Sequence, residues 1–397
     1  MIALLCMAIG NAIVLWKSRI EMGQGYGDFA NFYTAGTLIR RGLARELYDT
    51  NAQWKVQQEF ASEVKIRRSP MRYIRPPYEA LLFAVFAEWP YPRAVFLWTL
   101  FKLVFYAALP FVVVHGRDWR EGFPLWVTVL MILGTFPAFM DLLMGQDAVL
   151  LAFLFAVCFW QLDTGKDVGA GVTLGLALFK FQLVIPFVVI LWMAGRRRML
   201  RGFSVSAVIV VIISAAIVGW KGMIDYPRQL LALNETRGVG IFPQVHITLR
   251  GLLSTLMHRI PSRGLDLLLM LVELGAIVFV GTMWRRAGQR YFAVGFALAA
   301  VTTIATNAYA ADYDLLILIV PLLGMLTHSV GGENPDKITR LLETVALALL
   351  LLTPIYWFTR VRLDAECLMV IPLLVIGVAL TRRLQRCIRD ESRISTN

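Results

Sequence analysis

The stretch SVSAVIVVIISAAIVGW, from Ser204 to Trp220, decides the fold class of this 397-residue chain. It carries no charged residue over a length that approaches the thickness of a bilayer's hydrocarbon core. Comparable apolar runs follow at AVGFALAAVTTIATNAY and TVALALLLLTPIYWF. A water-soluble chain has no use for so many, so we predict an all-α, polytopic integral membrane protein rather than a soluble protein with buried helices.

The overall composition points the same way. The chain is 58% hydrophobic and only 17% charged, whereas a soluble domain is about half apolar and a quarter charged. The net charge of +12 could suggest a nucleic-acid partner. However, the basic residues cluster directly beside apolar runs, which is the positive-inside pattern of membrane proteins and excludes nucleic-acid binding as the first interpretation. The clusters are Arg196, Arg197, Arg198 and Arg201; Arg285, Arg286 and Arg290; and Arg382, Arg383, Arg386 and Arg389.

Placing these three clusters in the cytoplasm gives a topology. Counting outward predicts ten to twelve membrane spans, about twelve, with both chain ends inside. Residues 17–76 become an external loop, and the short segment Tyr78–Trp89 is expected to be re-entrant or interfacial. We predict one transmembrane domain over residues 1–390, followed by a cytoplasmic tail at 391–397. The first apolar stretch lacks a basic leader and a cleavage site, so we expect it to be retained.

The same topology places most of the polar residues that interrupt the helices on the outer side. These are Asp28, Arg75, Gln146, Asp147, Lys180, Gln182, His246, Arg250, Asp312 and Asp314. Charges at membrane depth are costly and are mostly retained for function, so the set predicts an outward-facing active site. The alternative for each residue is an ordinary position at a helix end, with the polar tip reaching into water.

Asp28 begins the external stretch DFANFYTAGTLIRRGLARELY. Its apolar residues recur at helical spacing, so we predict an amphipathic helix over Asp28–Tyr48 that lies on the outer membrane surface. A carboxylate at a helix start is stabilised by the helix dipole. Asp28 is therefore either a functional carboxylate or simply the residue that caps the helix.

Three other positions carry the same kind of choice. Arg75, beside a rigid Pro-Pro step, is an anion ligand or an interfacial anchor. Lys180, at the outer turn between two half-length helices, is a ligand for a lipid phosphate or a lysine that reaches the surface. We expect Lys180→Ala to impair use of such a lipid more than it impairs folding. Asp312 and Asp314 either contact a cation or sugar hydroxyls, or cap the helix that follows.

Six segments, in this order, resemble glycosyltransferase family 87. They are GDFANFYTAGTLIRRGLARELYD, RPPYEALLFAVF followed by EWPY and AVFLW, GQDAVLL, AGVTLGLALFKFQLVIP, HITLRGLL and ADYDLLILIVPL, and they run to about Leu323. The family has Asn where Asp147 stands and Pro where Phe181 stands. The resemblance implies a GT-C-type fold of about twelve transmembrane helices and a transferase that takes its sugar from a polyprenyl phosphate.

The resemblance also implies a mechanism. No nucleotide sugar is available outside the cytoplasm, so the donor is a lipid-linked sugar, and Asp28 is the general base of an inverting displacement. Candidates for the donor phosphate are Lys180, Arg75 and Arg250, in that order. Candidates for substrate contacts are Gln146, Gln182, His246, Tyr33, Asp312 and Asp314. We expect no cofactor and no metal site, because the leaving group is good; a divalent cation is compatible with the mechanism but not required.

The expected product is a lipid or glycan that has received a hexose, mannose in the first place, at the outer face of a bacterial inner membrane. The nearest alternative is the same chemistry with an arabinofuranosyl or glucosyl donor. A lipid or solute transporter would show inverted repeats and polar residues near the bilayer midplane, and we find no convincing repeat. A scaffold protein without chemistry is the remaining alternative.

Overall fold

The computed structural model describes residues 2–64, 69–114, 124–235, 243–257, 263–288, 291–327 and 337–395. These residues form helices joined by short connections, and the part described contains no β-strand. The helices are α1 (Ile2–Lys17), α2 (Arg19–Gln24), α3 (Phe29–Arg40), α4 (Thr50–Phe60), α5 (Ala80–Phe86), α6 (Tyr91–Val114), α7 (Leu125–Leu133), α8 (Phe136–Met144), α9 (Ala148–Asp163), α10 (Asp167–Leu176), α11 (Phe181–Met193), α12 (Met199–Glu235), α13 (Leu249–Leu256), α14 (Arg263–Ala287), α15 (Phe292–Thr306), α16 (Ile319–Thr327), α17 (Lys337–Leu351), α18 (Thr353–Val361) and α19 (Val370–Ser395). Short 3₁₀ segments at Pro77–Glu79, Ala177–Lys180 and Asp312–Leu318 lead into three of them.

The described residues contain fewer full-length spans than the sequence predicts. Five helical segments are long and apolar enough to cross a membrane, and a sixth is the pair Ile2–Lys17 and Arg19–Arg40, bent by 48°. The five segments are Tyr91–Val113, Asp167–Met193, Met199–Leu231, Gly264–Ala287 and Glu366–Arg386. Three shorter apolar helices accompany them: Pro77–Phe86, Ala148–Asp163 and Phe292–Thr306. The polytopic all-α class is confirmed, and the count of ten to twelve is not.

One of these segments, Asp167–Met193, folds back on itself instead of crossing. Arg196, three residues after the end of α11, pairs with Asp167 at the start of α10, with 3.0 Å between Nη1 and Oδ1. The beginning and the end of the segment therefore lie side by side. The backbone at Lys180 leaves the helical region, with φ −114° and ψ 54°. The segment is therefore a helical hairpin with Lys180 near its tip, as the sequence predicts for two half-length helices.

Two apolar runs of the sequence each form two helices instead of one. The first breaks between α7 and α8 at Thr135, and the second between α17 and α18 at Leu352, and these two residues form an isolated β-bridge. Asn11, buried on α1, joins the two breaks: its Nδ2 donates to the Leu133 carbonyl at 3.1 Å and its Oδ1 accepts from Thr353 Oγ1 at 3.4 Å. Backbone groups freed at the breaks therefore find partners inside the protein, as a membrane interior requires.

The N-terminal region does not form one amphipathic helix over Asp28–Tyr48. Helix α3 begins at Phe29 and ends at Arg40, and residues on most sides of it are buried against α5 and α4. Its aromatic residues form a second core: Phe32 stacks on Phe83 at 4.5 Å between ring centroids, and Phe29 stacks on Trp98 at 5.8 Å. The predicted extent of this helix is thus wrong, and its apolar residues pack in a protein core. Its position at the outer membrane surface stays a prediction.

The helical hairpin packs tightly on the next helix through small residues. A Cβ added at Gly171 would collide with the Met199 carbonyl, and one added at Gly202 would collide with the Val168 carbonyl. Helices in membranes gain from such close approach, because lipid supplies little hydrophobic drive for their association. The contacts fix α10 against the first turns of α12.

The described basic clusters and the interrupting polar residues lie at opposite ends of this bundle. Arg196 reaches Asp167 and also lies 5.7 Å above the ring of Phe292, which marks one end of three helices. At the far end of α15, Asn307 donates to the main-chain carbonyl of Gln182, beside the hairpin tip. Arg290 lies outside the described residues. The last helix runs to Ser395, past the predicted domain boundary at 390.

Candidate functional site

Asp28 stands at the start of α3 but does not cap it. Its backbone is helical, with φ −67° and ψ −19°, and its side chain makes no capping hydrogen bond. Instead, Oδ2 accepts a hydrogen bond from Gln146 Nε2 at 2.7 Å. The Gln146 Oε1 atom in turn accepts from Arg75 Nη2 at 3.4 Å. A single amide thus connects the carboxylate of Asp28 to a guanidinium.

Arg75 and Lys180 share one counter-ion, Asp147. Arg75 Nη2 lies 3.2 Å from Asp147 Oδ1, and Lys180 Nζ lies 2.9 Å from the same oxygen. Lys180 also contacts Asp314 Oδ1 at 2.6 Å. Asp147, Lys180 and Asp314 are all buried, so two cations and two anions compensate one another within the protein.

This arrangement acts on the acidity of Asp147. Burial alone would raise the pKa of its carboxyl group, but the Arg75 guanidinium and the Lys180 ammonium hold that pKa well below its usual range. Asp147 is therefore ionised at physiological pH. It is suited to holding the two cations in place and unsuited to accepting a proton.

Two residues near this network were not singled out from the sequence. Glu79 is buried, accepts a hydrogen bond from Tyr73 Oη at 3.3 Å and interacts electrostatically with Asp147 and Arg75. Tyr313 lies under Lys180, with 4.9 Å between Nζ and the ring centroid. Burial first, and then the Asp28 carboxylate, raise the pKa of Tyr313, so the phenol interacts electrostatically with Asp28. A glutamate that follows Arg-Pro-Pro and opens an apolar stretch was the available signal for Glu79.

Asp312 and Asp314 are close in sequence but have different partners. Asp314 pairs with Lys180 and accepts the Ala311 N–H on Oδ2 at 3.0 Å, so it both caps the 3₁₀ turn and anchors the lysine. Asp312 accepts from Arg360 Nη1 at 3.3 Å. Burial, offset in part by Arg360, raises the pKa of Asp312 to about 6. Arg360 also pairs with buried Glu366 at 3.0 Å and brings the last helices of the chain to the site.

Arg250 and His246 lie beside the network. The Arg250 Nε atom pairs with Asp266 at 3.1 Å, and its guanidinium lies 5.1 Å from the Tyr309 ring centroid. His246 packs edge-on against the same ring. Burial lowers the pKa of His246 to about 4, so the imidazole is neutral at physiological pH. Arg250 is thus committed to a different carboxylate from the one shared by Arg75 and Lys180.

Two predicted substrate contacts lie apart from the network. The Gln182 main-chain carbonyl accepts a hydrogen bond from Asn307, and within the described residues no hydrogen bond joins its side chain to Asp147 or Lys180. Tyr33 donates to the Trp89 carbonyl at 2.9 Å. Tyr33 also lines a separate cavity of about 380 Å³ with Phe60, Tyr91 and the Arg41–Glu59 ion pair, among others. The structure therefore brings together Asp28, Gln146, Arg75, Lys180 and Asp314.

No three His, Cys, Asp or Glu side chains in the described ranges are arranged to hold a metal ion. The network offers a carboxylate that can accept a proton, Asp28, and two cations that can stabilise negative charge, Arg75 and Lys180.

Comparison with known proteins gives one match. The family model of glycosyltransferase family 87 matches residues 73–310, which is more than half of the chain and includes Arg75, Gln146, Asp147 and Lys180. No curated protein and no solved structure matches the chain. The matched range, together with the all-helical bundle and its apolar spans, leads to one conclusion: this chain belongs to glycosyltransferase family 87 and is an integral membrane glycosyltransferase.

Proposed function

We propose that the protein transfers a hexose, mannose in the first place, from a polyprenyl-phosphate sugar to a hydroxyl of a lipid or glycan acceptor. The reaction takes place at the extracytoplasmic face of a bacterial inner membrane and inverts the anomeric centre. The observation that carries the proposal is the position of Asp28. Its carboxylate is held by Gln146 next to Arg75 rather than being used to cap its own helix.

The proposed step is a single displacement. As the acceptor oxygen forms its bond to the anomeric carbon, its proton passes to the Asp28 carboxylate. The bond from that carbon to the phosphate oxygen breaks, and the polyprenyl phosphate leaves with the electron pair. The Gln146 amide fixes the orientation of the base, and a nearby cation stabilises the charge on the departing phosphate.

The distances favour Arg75 over Lys180 as the cation that contacts the phosphate. Charge-assisted N–H···O bonds are usually about 2.7–2.9 Å long, and both contacts of Lys180 are within or below this range. The contacts of Arg75 with Asp147 at 3.2 Å and with Gln146 at 3.4 Å are longer. Breaking them to bind a phosphate therefore costs less free energy than breaking the contacts of Lys180. Arg75 is 9% exposed, whereas Lys180 is fully buried. The role that remains for Lys180 is to pair with Asp147 and Asp314 and keep these two carboxylates in place.

The donor is tested with purified protein and labelled polyprenyl-phosphate mannose, glucose and arabinofuranose. We expect the mannose label to leave the lipid fastest. Preference for either other label would keep the chemistry and change the donor. If no label leaves any lipid, while vesicles that contain the protein translocate one of them, the transferase proposal is wrong and the transporter alternative takes its place.

The base is tested with two aspartate-to-asparagine variants. Asp49 provides the matched control, because its Oδ1 does cap a helix, accepting the Ala52 N–H at 2.8 Å. Asparagine caps about as well as aspartate, so Asp49→Asn should keep both stability and activity. Asp28→Asn should keep the melting temperature but lose roughly 10²- to 10⁴-fold in sugar transfer. Transfer by Asp28→Asn within a few-fold of the parent would remove Asp28 from the mechanism, and Asp312 would then be tested.

A further inference from the structure

We propose that three residues on one face of α6, namely Trp98, Lys102 and Tyr106, form a positioning ladder that sets the place of Gln146 and, through it, of Asp28. The inference deepens the proposed function and rests on it for the role of Asp28. Spaced four residues apart, the three side chains lie above one another on the helix. Trp98 presents its polar tip to the α8–α9 connection, where Gln146 is located, and Lys102 and Tyr106 present theirs to Asp141 near the end of α8.

The rungs of the ladder are hydrogen bonds from α6 to the last turn of α8 and to the connection that follows it. The Trp98 Nε1–H donates to the Gly145 carbonyl at 2.9 Å. Lys102 Nζ donates to the Asp141 carbonyl at 2.5 Å and lies 3.2 Å from Asp141 Oδ2. The Tyr106 hydroxyl donates to the same Oδ2 at 2.9 Å. Two of the three rungs therefore converge on a single aspartate.

Asp141 passes this restraint to the residues of the site. Its Oδ1 accepts the Ala148 N–H at 2.9 Å and so caps α9, although Asp147 occupies the N-cap position and makes no side-chain capping bond. Its main-chain carbonyl accepts the Gln146 N–H at 2.9 Å. Hydrogen bonds at Gly145 and at Ala148 thus hold the backbone on either side of Gln146, and the Gln146 side-chain amide points to the Asp28 carboxylate.

The burial of the ladder is hard to explain by stability alone. Lys102 and Asp141 are both fully buried, and Lys102 lies roughly 16 Å along a candidate membrane span, taking 1.5 Å per residue from Tyr91. Replacing a buried ion pair with apolar residues is often neutral or stabilising, so such a pair is weak evidence for stability. Ionisable residues inside membrane segments mostly serve function. The part of the candidate site that the Lys102–Asp141 pair contacts is the loop that carries Gln146.

The first test measures the loop directly. The variant Lys102→Met/Asp141→Asn removes both charges, while Asn can still accept the Ala148 N–H. We expect hydrogen exchange at the Gln146 and Ala148 amides of the full-length protein to accelerate at least about tenfold. Trp98→Phe, which loses the rung to Gly145 together with part of the ring contact with Phe29, should show a smaller increase and serves if the double variant folds poorly. Trp284→Phe, a buried tryptophan elsewhere, is the control. Unchanged exchange in both ladder variants would overturn the proposal.

The second test asks whether the ladder acts through Gln146. Loosened positioning should lower kcat roughly 10- to 100-fold with little change in the donor KM. Gln146→Ala should have a comparable effect. If the ladder works through Gln146, Trp98→Phe should change the kcat of Gln146→Ala by less than about twofold. If the two substitutions together lower kcat by the product of their separate effects, the ladder does not act through Gln146.

The two proposals fail in different ways. If the parent protein moves no sugar from any polyprenyl phosphate, the proposed function is wrong, and hydrogen exchange still decides whether the ladder holds the loop. If the parent is active but the ladder variants exchange and turn over like the parent, the ladder is wrong and the proposed function stands.

Discussion

Asp28 and Asp49 both precede helices of the N-terminal region, and local sequence does not distinguish them. The structure does, because Asp49 caps its helix and Asp28 reaches across the fold to Gln146. Whether a side chain bonds its own backbone or a residue more than a hundred positions away depends on packing, which sequence spacing does not encode. The sequence nevertheless placed Asp28, Arg75, Gln146, Lys180 and Asp314 on the same side of the protein.

At the residue scale, the sequence predicts that removing Lys180 impairs donor use more than folding, whereas the burial of Lys180 leads us to expect the larger effect on stability. Lys180→Met would leave Asp147 and Asp314 with one cation fewer, and breaking a buried pair costs about 3–5 kcal/mol. We therefore expect a marked fall in melting temperature, which hides any effect on donor use. Adding Asp314→Asn rebalances the charge and keeps the bond from Ala311, so the double variant should regain most of the loss. Equal stability of Lys180→Met and the parent, by thermal unfolding in detergent, would contradict this account.

At the scale of elements, the sequence predicted which segments are apolar but not where they break. The sequence stays largely apolar across Thr135 and Leu352, so periodicity did not show that two helices meet there, although Pro137 and Pro354 in the first turn of the following helices were an available sign. Helix α3 shows the converse problem, since amphipathic spacing cannot distinguish a lipid surface from an aromatic protein core. Lys102 was not singled out from the sequence, although a lone charge within an apolar run is a sign of function.

Helix α3 carries Asp28, and its contact with α5 can be tested at Gly36. A Cβ at this position would collide with the Phe83 carbonyl. Although alanine favours helices over glycine, Gly36→Ala should push α3 from α5, destabilise the protein by about 1–3 kcal/mol and lower activity. Gly10 on α1 has open space around it, so Gly10→Ala should be neutral or stabilising by roughly 0.5–1 kcal/mol. If both variants have the same melting temperature, the contact does not constrain α3.

At the scale of the whole molecule, Arg196 of the first basic cluster and the candidate site occupy opposite ends of the bundle. Arg196 pairs with Asp167 at one end, and Lys180 pairs with Asp147 and Asp314 at the other. If the positive-inside rule holds, the site faces the exterior, where lipid-linked sugars replace nucleotide sugars as donors. Orientation and donor chemistry are therefore linked, and one labelling experiment bears on both.

That experiment uses single cysteines at two exposed positions, Arg45 and Arg198, in a background without the native cysteines. With a membrane-impermeant maleimide on intact cells, we expect Arg45→Cys to be labelled and Arg198→Cys to be labelled only after permeabilisation. The control is equal labelling of both variants in detergent. The reverse pattern in intact cells would place the site in the cytoplasm and remove the main argument for a lipid-linked donor.

Asn11 holds together parts of the chain that are synthesised at very different times. Its partner Thr353 lies 342 residues further along, a separation that takes a ribosome roughly 20–70 s to translate at about 5–20 residues per second. Arg360, which reaches Asp312, emerges later still. The first helix must therefore wait in the membrane for its last partners. A nascent chain therefore holds all five residues of the network before Arg360 reaches Asp312, so the last helices pack onto a site that has already been synthesised.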